Sequence, residues 1–121
     1  MLNCLYVGLG GFIGAVCRYW MSFIPLRAEN GFPFITLLVN VTGALVIGAI
    51  AALAAKNDAV SPQMVLFIKV GLCGGFTTFS SFSLETTALL QNGSVGVAVA
   101  YVVLSVAFCV FAVFGAQFLV K

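Results

Sequence analysis

The stretch Gly71-Leu72-Cys73-Gly74-Gly75-Phe76-Thr77-Thr78-Phe79-Ser80-Ser81-Phe82-Ser83-Leu84-Glu85-Thr86-Thr87 sets two demands against each other. Its flanks are apolar enough for a membrane span, yet seven of the eleven residues 77–87 carry hydroxyls and Glu85 brings a full charge. A charge near the bilayer centre costs roughly 3 kcal/mol on insertion scales, so Glu85 either faces water or serves a function. Two adjacent glycines, Gly74 and Gly75, invite a helix break just ahead of the hydroxyls. Broken backbone at membrane depth persists only where protein buries it or a water-filled cavity faces it. Such breaks mark ion and substrate sites in transport proteins. The competing reading is an intact helix whose hydroxyls bond carbonyls one turn back.

Outward from this segment, the composition leaves little choice but a membrane. Of 121 residues, 63% are hydrophobic and 7% charged, against roughly 45–50% and 25% in a soluble domain. So short a chain lacks the interior to hide that many apolar side chains, and the same composition excludes disorder. A crossing helix takes about 20 apolar residues. Four approximate spans, 2–23, 33–55, 62–90 and 95–120, use the chain as a single four-helix transmembrane domain. The first lacks the basic start and small-residue cleavage site of a signal peptide. Pro33 suits a first helical turn, Lys56-Asn57-Asp58 ends the second span, Ser61-Pro62 starts the third, and Gln91-Asn92-Gly93 turns the chain into the fourth.

The charges exclude further classes. There is no His, which removes His-based acid–base chemistry, His metal sites and the usual near-neutral proton relay. A net charge of +2 without clustered Lys and Arg makes no nucleic-acid footprint. Cys4, Cys17, Cys73 and Cys109 each lie in an apolar stretch without close ligand spacing and read as buried free thiols. Lys56, Lys121 and Lys69 fall toward the side of the termini, Arg27 and Arg18 toward the other. Orientation follows an excess of Lys and Arg on one side, and three against two is nearly no instruction. Either one topology is weakly specified, or the chain inserts both ways and dimerises antiparallel.

Several intramembrane positions are candidates for packing or for function. Gly10 with Gly14, and Gly71 with Gly75, are small-xxx-small pairs that let helices approach closely. The order Gly8-Leu9-Gly10-Gly11-Phe12-Ile13-Gly14 only superficially matches a dinucleotide-binding turn, which needs a βαβ unit around it. Arg18 can snorkel to the interface or act directly. Asn40 either joins helices by a hydrogen bond or offers an N–H to an anion. Phe79 and Phe82, three apart, share a helix face beside the hydroxyls; they are either packing or rings whose positive edges face a passage. Tyr101, Ser105 and Cys109 recur every four residues as a weakly polar stripe that either lines a passage or packs an interface.

Three ordered motifs carry a resemblance over essentially the whole chain: residues 10–19, Gly-Gly-Phe-Ile-Gly-Ala-Val-Cys-Arg-Tyr; residues 36–43, Thr-Leu-Leu-Val-Asn-Val-Thr-Gly; and residues 71–83 quoted above. With these the sequence resembles the Fluc/CrcB family of small fluoride channels. The resemblance implies an all-α membrane protein of four helices, the third broken near its middle, assembled as an antiparallel, dual-topology homodimer with two fluoride pores. It implies residence in a bacterial or archaeal inner membrane and a role in fluoride resistance. On this resemblance Phe79 and Phe82 present ring edges to fluoride, Asn40 is the pore asparagine, and Ser80, Ser81 and Glu85 form the hydroxyl-rich and acidic track. Arg18 matches an arginine near the vestibule. Gly74 and Thr77 match the break where main-chain carbonyls of both subunits hold a structural sodium ion at the dimer interface. Tyr101 and Ser105 complete the candidate pore. Ser81 stands where many relatives have Thr, and Cys109 where a hydroxyl is expected.

The function implied is passive export: neutral HF crosses lipid and ionises inside, and a channel lets the anion leave. The alternative is a small multidrug-type proton-coupled antiporter, also four helices with dual topology. Such a transporter uses an embedded acid in its first helix, and span one has none. A purely structural membrane subunit sits badly with the hydroxyl cluster. No enzyme is expected, since no nucleophile–base pair can be read.

Overall fold

The computed structural model describes residues 1–120, and among them helix is the only regular structure. Helix α1 spans Leu2–Met21 and α2 spans Phe34–Lys56. The third crossing is composite: α3 at Pro62–Val65, a π-helical segment at Leu66–Cys73, α4 at Gly74–Phe76 and α5 at Phe79–Gln91. Helix α6 spans Val95–Val120. Four of these stretches, with Pro62–Gln91 taken as one, are long and apolar enough to cross a membrane.

Local chemistry sets the ends. Ser61 accepts from the Met64 N–H at 3.1 Å while Pro62 occupies the first turn, a capped start for the third crossing. Gly31 and Gly93 have φ of 82° and 81°, and each turns the chain between spans in a conformation that favours glycine. Lys56 Nζ donates to the Val120 carbonyl at 3.0 Å, tying the end of α2 to the end of α6.

Helix α1 lies along the π-helical segment and α4, whereas α2 lies along α6 and also touches the π-helical segment, and α5 packs on α6. The third crossing therefore changes partner midway. Its first half belongs to α1 and its second half to α6. The extended residues lie at that change: Thr77 has φ −80° and ψ 158°, and Thr78 has φ −150° and ψ 117°.

The glycine pair is not itself where the helix stops. Gly74 keeps helical angles, φ −63° and ψ −38°, and the extended residues come three positions later. Gly75 serves contact instead, since a Cβ there would run into the Gly11 carbonyl. The two small-residue pairs pack on one another. A Cβ at Gly71 would lie 2.7 Å from the Val7 carbonyl, one at Gly10 would overlap the Phe67 carbonyl, and one at Gly14 the Leu72 carbonyl. On the other half, Gly48 lets α2 approach α6, with the Val113 carbonyl 2.9 Å from a Cβ built there. Gly43 leaves room for the Thr77 methyl.

At Gly10, Gly14, Gly71 and Gly75 the contacts are backbone against backbone, so the neighbour cannot yield. Gly14→Ala and Gly75→Ala are each expected to destabilise by about 1–3 kcal/mol, as overpacked sites do. Gly8→Ala, with nothing within 4 Å, is expected to be neutral or stabilising by up to about 1 kcal/mol, because Ala is the better helix former. Thermal unfolding midpoints in detergent check the contrast in sign.

Candidate functional site

At Thr77 and Thr78 the chain leaves the helical hydrogen-bond ladder inside an apolar span. In lipid each backbone group released there needs a partner. Asn40, from α2, serves Thr78 twice: the Thr78 N–H donates to Oδ1 at 2.8 Å, and Nδ2 donates to the Thr78 carbonyl at 3.1 Å. In a continuous helix the Thr78 N–H would return to Gly74 and the Phe79 N–H to Gly75. The Gly75 carbonyl instead accepts from Arg18 Nε at 3.2 Å. The Cys73 carbonyl accepts from both the Thr77 N–H, at 2.9 Å, and its hydroxyl, at 2.7 Å. Thr78 Oγ1 caps α5, accepting from the Ser81 N–H at 3.0 Å, and lies 3.3 Å from Ser80 Oγ. Helix α5 thus begins at membrane depth, with the positive end of its dipole there.

A column of rings runs from this helix start. Phe79 and Phe82 have centroids 5.5 Å apart, Phe82 and Tyr101 5.0 Å, and Tyr101 and Phe32 5.4 Å. Phe79 is 79% exposed on the single chain, whereas Tyr101 is fully buried. One turn beyond Phe82, Glu85 gathers two hydroxyls. Thr36 Oγ1 donates to Oε2 at 2.9 Å, and the Tyr101 hydroxyl lies 3.4 Å from Oε1.

Two cavities open on either side of the Phe82–Glu85 turn. One, about 530 Å³, is bordered by Thr36, Glu85, Arg27, Ser22 and Asn92. The other, about 460 Å³, is bordered by Asn40, Thr78, Phe79, Phe82, Ser105 and Cys109, and also by Gly74, Thr77, Cys73 and Lys69. Ser105 is 6% exposed and its Oγ has no hydrogen-bond partner among the described residues. Such a group, buried, costs about 1–3 kcal/mol unless something arrives to pair with it. Each cavity carries one basic side chain, Arg27 or Lys69.

The structure thus gathers Asn40, Phe79, Phe82 and Ser105 on one cavity and sets Glu85 on the other. Tyr101 lines neither and joins them from the core. Ser80 and Ser81 sit at the capped start of α5 and line neither cavity. Arg18 turns to the Gly75 carbonyl rather than to either cavity. Part of the hydroxyl cluster follows the competing intrahelical reading: Ser83 bonds the Phe79 carbonyl at 2.9 Å, Thr86 that of Phe82 at 2.8 Å and Thr87 that of Ser83 at 2.9 Å. Thr36 was given no role from sequence. Its position one turn before Asn40 on the same helix face was the available signal.

Residues 5–117 match the family described as CrcB-like protein, Camphor Resistance (CrcB). The chain is 47% identical to the fluoride-specific ion channel FluC of Methylobacillus flagellatus over 88% of this chain and 84% of that protein. It is 47% identical to the FluC of Shewanella pealeana, covering 99% of this chain and 97% of the relative. It is 41% identical to that of Ruminiclostridium cellulolyticum, covering 100% and 94%. Matched by this family over residues 5–117 and 47% identical to relatives over most of both chains, the chain belongs to the CrcB family.

Proposed function

We propose that this protein is a passive, fluoride-selective channel, not an enzyme, that exports fluoride across a bacterial or archaeal inner membrane and so relieves fluoride toxicity. The full-length identity to fluoride-specific channels supports it, and one observation carries it mechanistically: Asn40, Phe79, Phe82 and the unpartnered Ser105 hydroxyl share one cavity at membrane depth. Fluoride is small and tightly hydrated, so a passage must replace much of its water without holding it. An amide Nδ2 carries two N–H groups. Asn40 uses one on Thr78, which leaves the other for an anion. Ser105 offers an O–H, and ring edges of Phe79 and Phe82 offer weak positive charge. Several weak donors in series suit conduction, which requires an ion to leave as readily as it enters. Span one carries no embedded acid of the kind a proton-coupled antiporter uses.

The working unit is an antiparallel, dual-topology homodimer with two passages and a third helix broken at Thr77–Thr78. The high exposure of Phe79 on the single chain supports a second copy beside it, and the near-balanced charges support insertion both ways. A structural sodium ion at the dimer interface fits the freed carbonyls. The N–H groups that a continuous helix would give the Gly74 and Thr77 carbonyls belong to Thr78 and Ser81, and both are diverted to side-chain oxygens. Gly74 and Thr77 of each copy would hold the ion, which supplies positive charge to carbonyl oxygens, the ligands a hard cation prefers.

Fluoride efflux from liposomes at equal pH on both sides tests the reading. The wild type is expected to conduct without a pH gradient; a requirement for one would overturn passive transport. Phe79→Ile and Phe82→Ile keep volume but lose the ring quadrupole and are expected to abolish efflux while the protein still assembles. If the rings only packed, the cost would stay under about 1.5 kcal/mol and flux would persist. Asn40→Asp is expected to fail as well, because it replaces the donor with an acceptor facing an anion.

The dimer has its own test. Two or three Lys added at one loop should lock the insertion of each copy. Each locked form alone is expected to be silent, and oppositely locked forms together to recover efflux. Flux from either form alone would contradict the antiparallel assembly.

A further inference from the structure

Four free thiols are present, and they are not equivalent. Cys4 and Cys17 lie on α1 away from both cavities. Cys73 and Cys109 both border the 460 Å³ cavity, but Cys73 is 3% exposed whereas Cys109 is half-buried. Cys109 stands one helical turn beyond Ser105 on α6, on the same face. Ser105, on the wall of the same cavity, is a buried hydroxyl without a partner among the described residues. Asn40 and Phe79 border that cavity too. A group attached to Cys109 therefore enters the space in which the proposed passage strips and hands on its ion.

Resting on that reading, we propose that Cys109 is a modification site for small disulfides, and that the adduct closes the passage. The reactive form is the thiolate. In the step, the Cys109 sulfur attacks one sulfur of R–S–S–R. A Cys109–S–S–R bond forms and the reagent's S–S bond breaks. The leaving R–S⁻ takes up the proton that Cys109 lost, so the oxidising equivalent comes wholly from the small disulfide. Excess thiol reverses the exchange. The passage of this chain is thereby sensitive to the thiol–disulfide state of the solution that reaches it.

The probe is 2-hydroxyethyl disulfide, small and uncharged, applied to liposomes that hold the full chain. Efflux is read before treatment, after treatment and after dithiothreitol, with the adduct located by mass spectrometry. The expected result is loss of most of the efflux, an adduct on Cys109 and recovery with dithiothreitol. The variant Cys4→Ser, Cys17→Ser, Cys73→Ser, which keeps only Cys109, is expected to remain blockable. Cys109→Ser is expected to retain after treatment the flux it had before. Absence of flux before treatment of the wild type overturns the channel reading itself. Flux that persists with Cys109 modified, no adduct on Cys109, or a block that Cys109→Ser does not relieve each overturns the present proposal. Should Cys109→Ser carry no flux of its own, the Cys109-only variant and the dithiothreitol reversal decide alone.

Discussion

Two residues of extended backbone inside a bilayer need partners for groups that a helix would otherwise satisfy internally, and nearly every unusual feature of this chain answers that requirement. Each buried group left unpaired costs about 1–3 kcal/mol. Asn40 mimics a neighbouring strand for Thr78, giving and taking one hydrogen bond. Arg18 reaches the Gly75 carbonyl, Thr77 bonds back to Cys73, and the Thr78 hydroxyl caps the restarting helix. Two other spans thus converge on the break in the third. A polar side chain in a membrane is usually read as function or as glue. Asn40 is both in one geometry, because the amide that supports the backbone also borders a cavity.

The extended pair also explains the division of the packing. A straight third crossing would follow α1 along its whole length. Two extended residues redirect it, so that the π-helical segment and α4 stay on the glycine face of α1 while α5 moves to α6. The redirection brings Phe82 to Tyr101, places Glu85 against Thr36, and opens the two cavities on either side of that turn. Glycines permit it by removing the side chains that would hold α1 and the third crossing apart.

Much of this was legible from composition and spacing. The four spans followed from apolar length, and Gly10, Gly14, Gly71 and Gly75 followed from four-residue spacing. The cluster at 77–87 announced polar chemistry in the third span. Less legible was where the helix gives way: adjacent glycines suggested Gly74-Gly75, but Gly75 is absorbed by contact with Gly11 and the extended residues are threonines. The uses of individual hydroxyls were hidden as well. Ser83, Thr86 and Thr87 return to their own helix, whereas Ser105, already marked by its four-residue spacing from Tyr101 and Cys109, is a buried hydroxyl without a partner among the described residues. Side-chain partners drawn from other spans, such as Arg18 on Gly75 and Thr36 on Glu85, are long-range pairings that no local pattern encodes.

Thr77 and Thr78 remain extended in the bilayer because Asn40 and Arg18 hold the backbone there. Solid-state NMR of the chain in liposomes measures this directly through the ¹³Cα and ¹³Cβ shifts of those two threonines. Extended-backbone shifts are expected for both in the wild type, and their loss at Thr78 in Asn40→Ala. Helical shifts at Thr77 and Thr78 in conducting wild-type protein would contradict it.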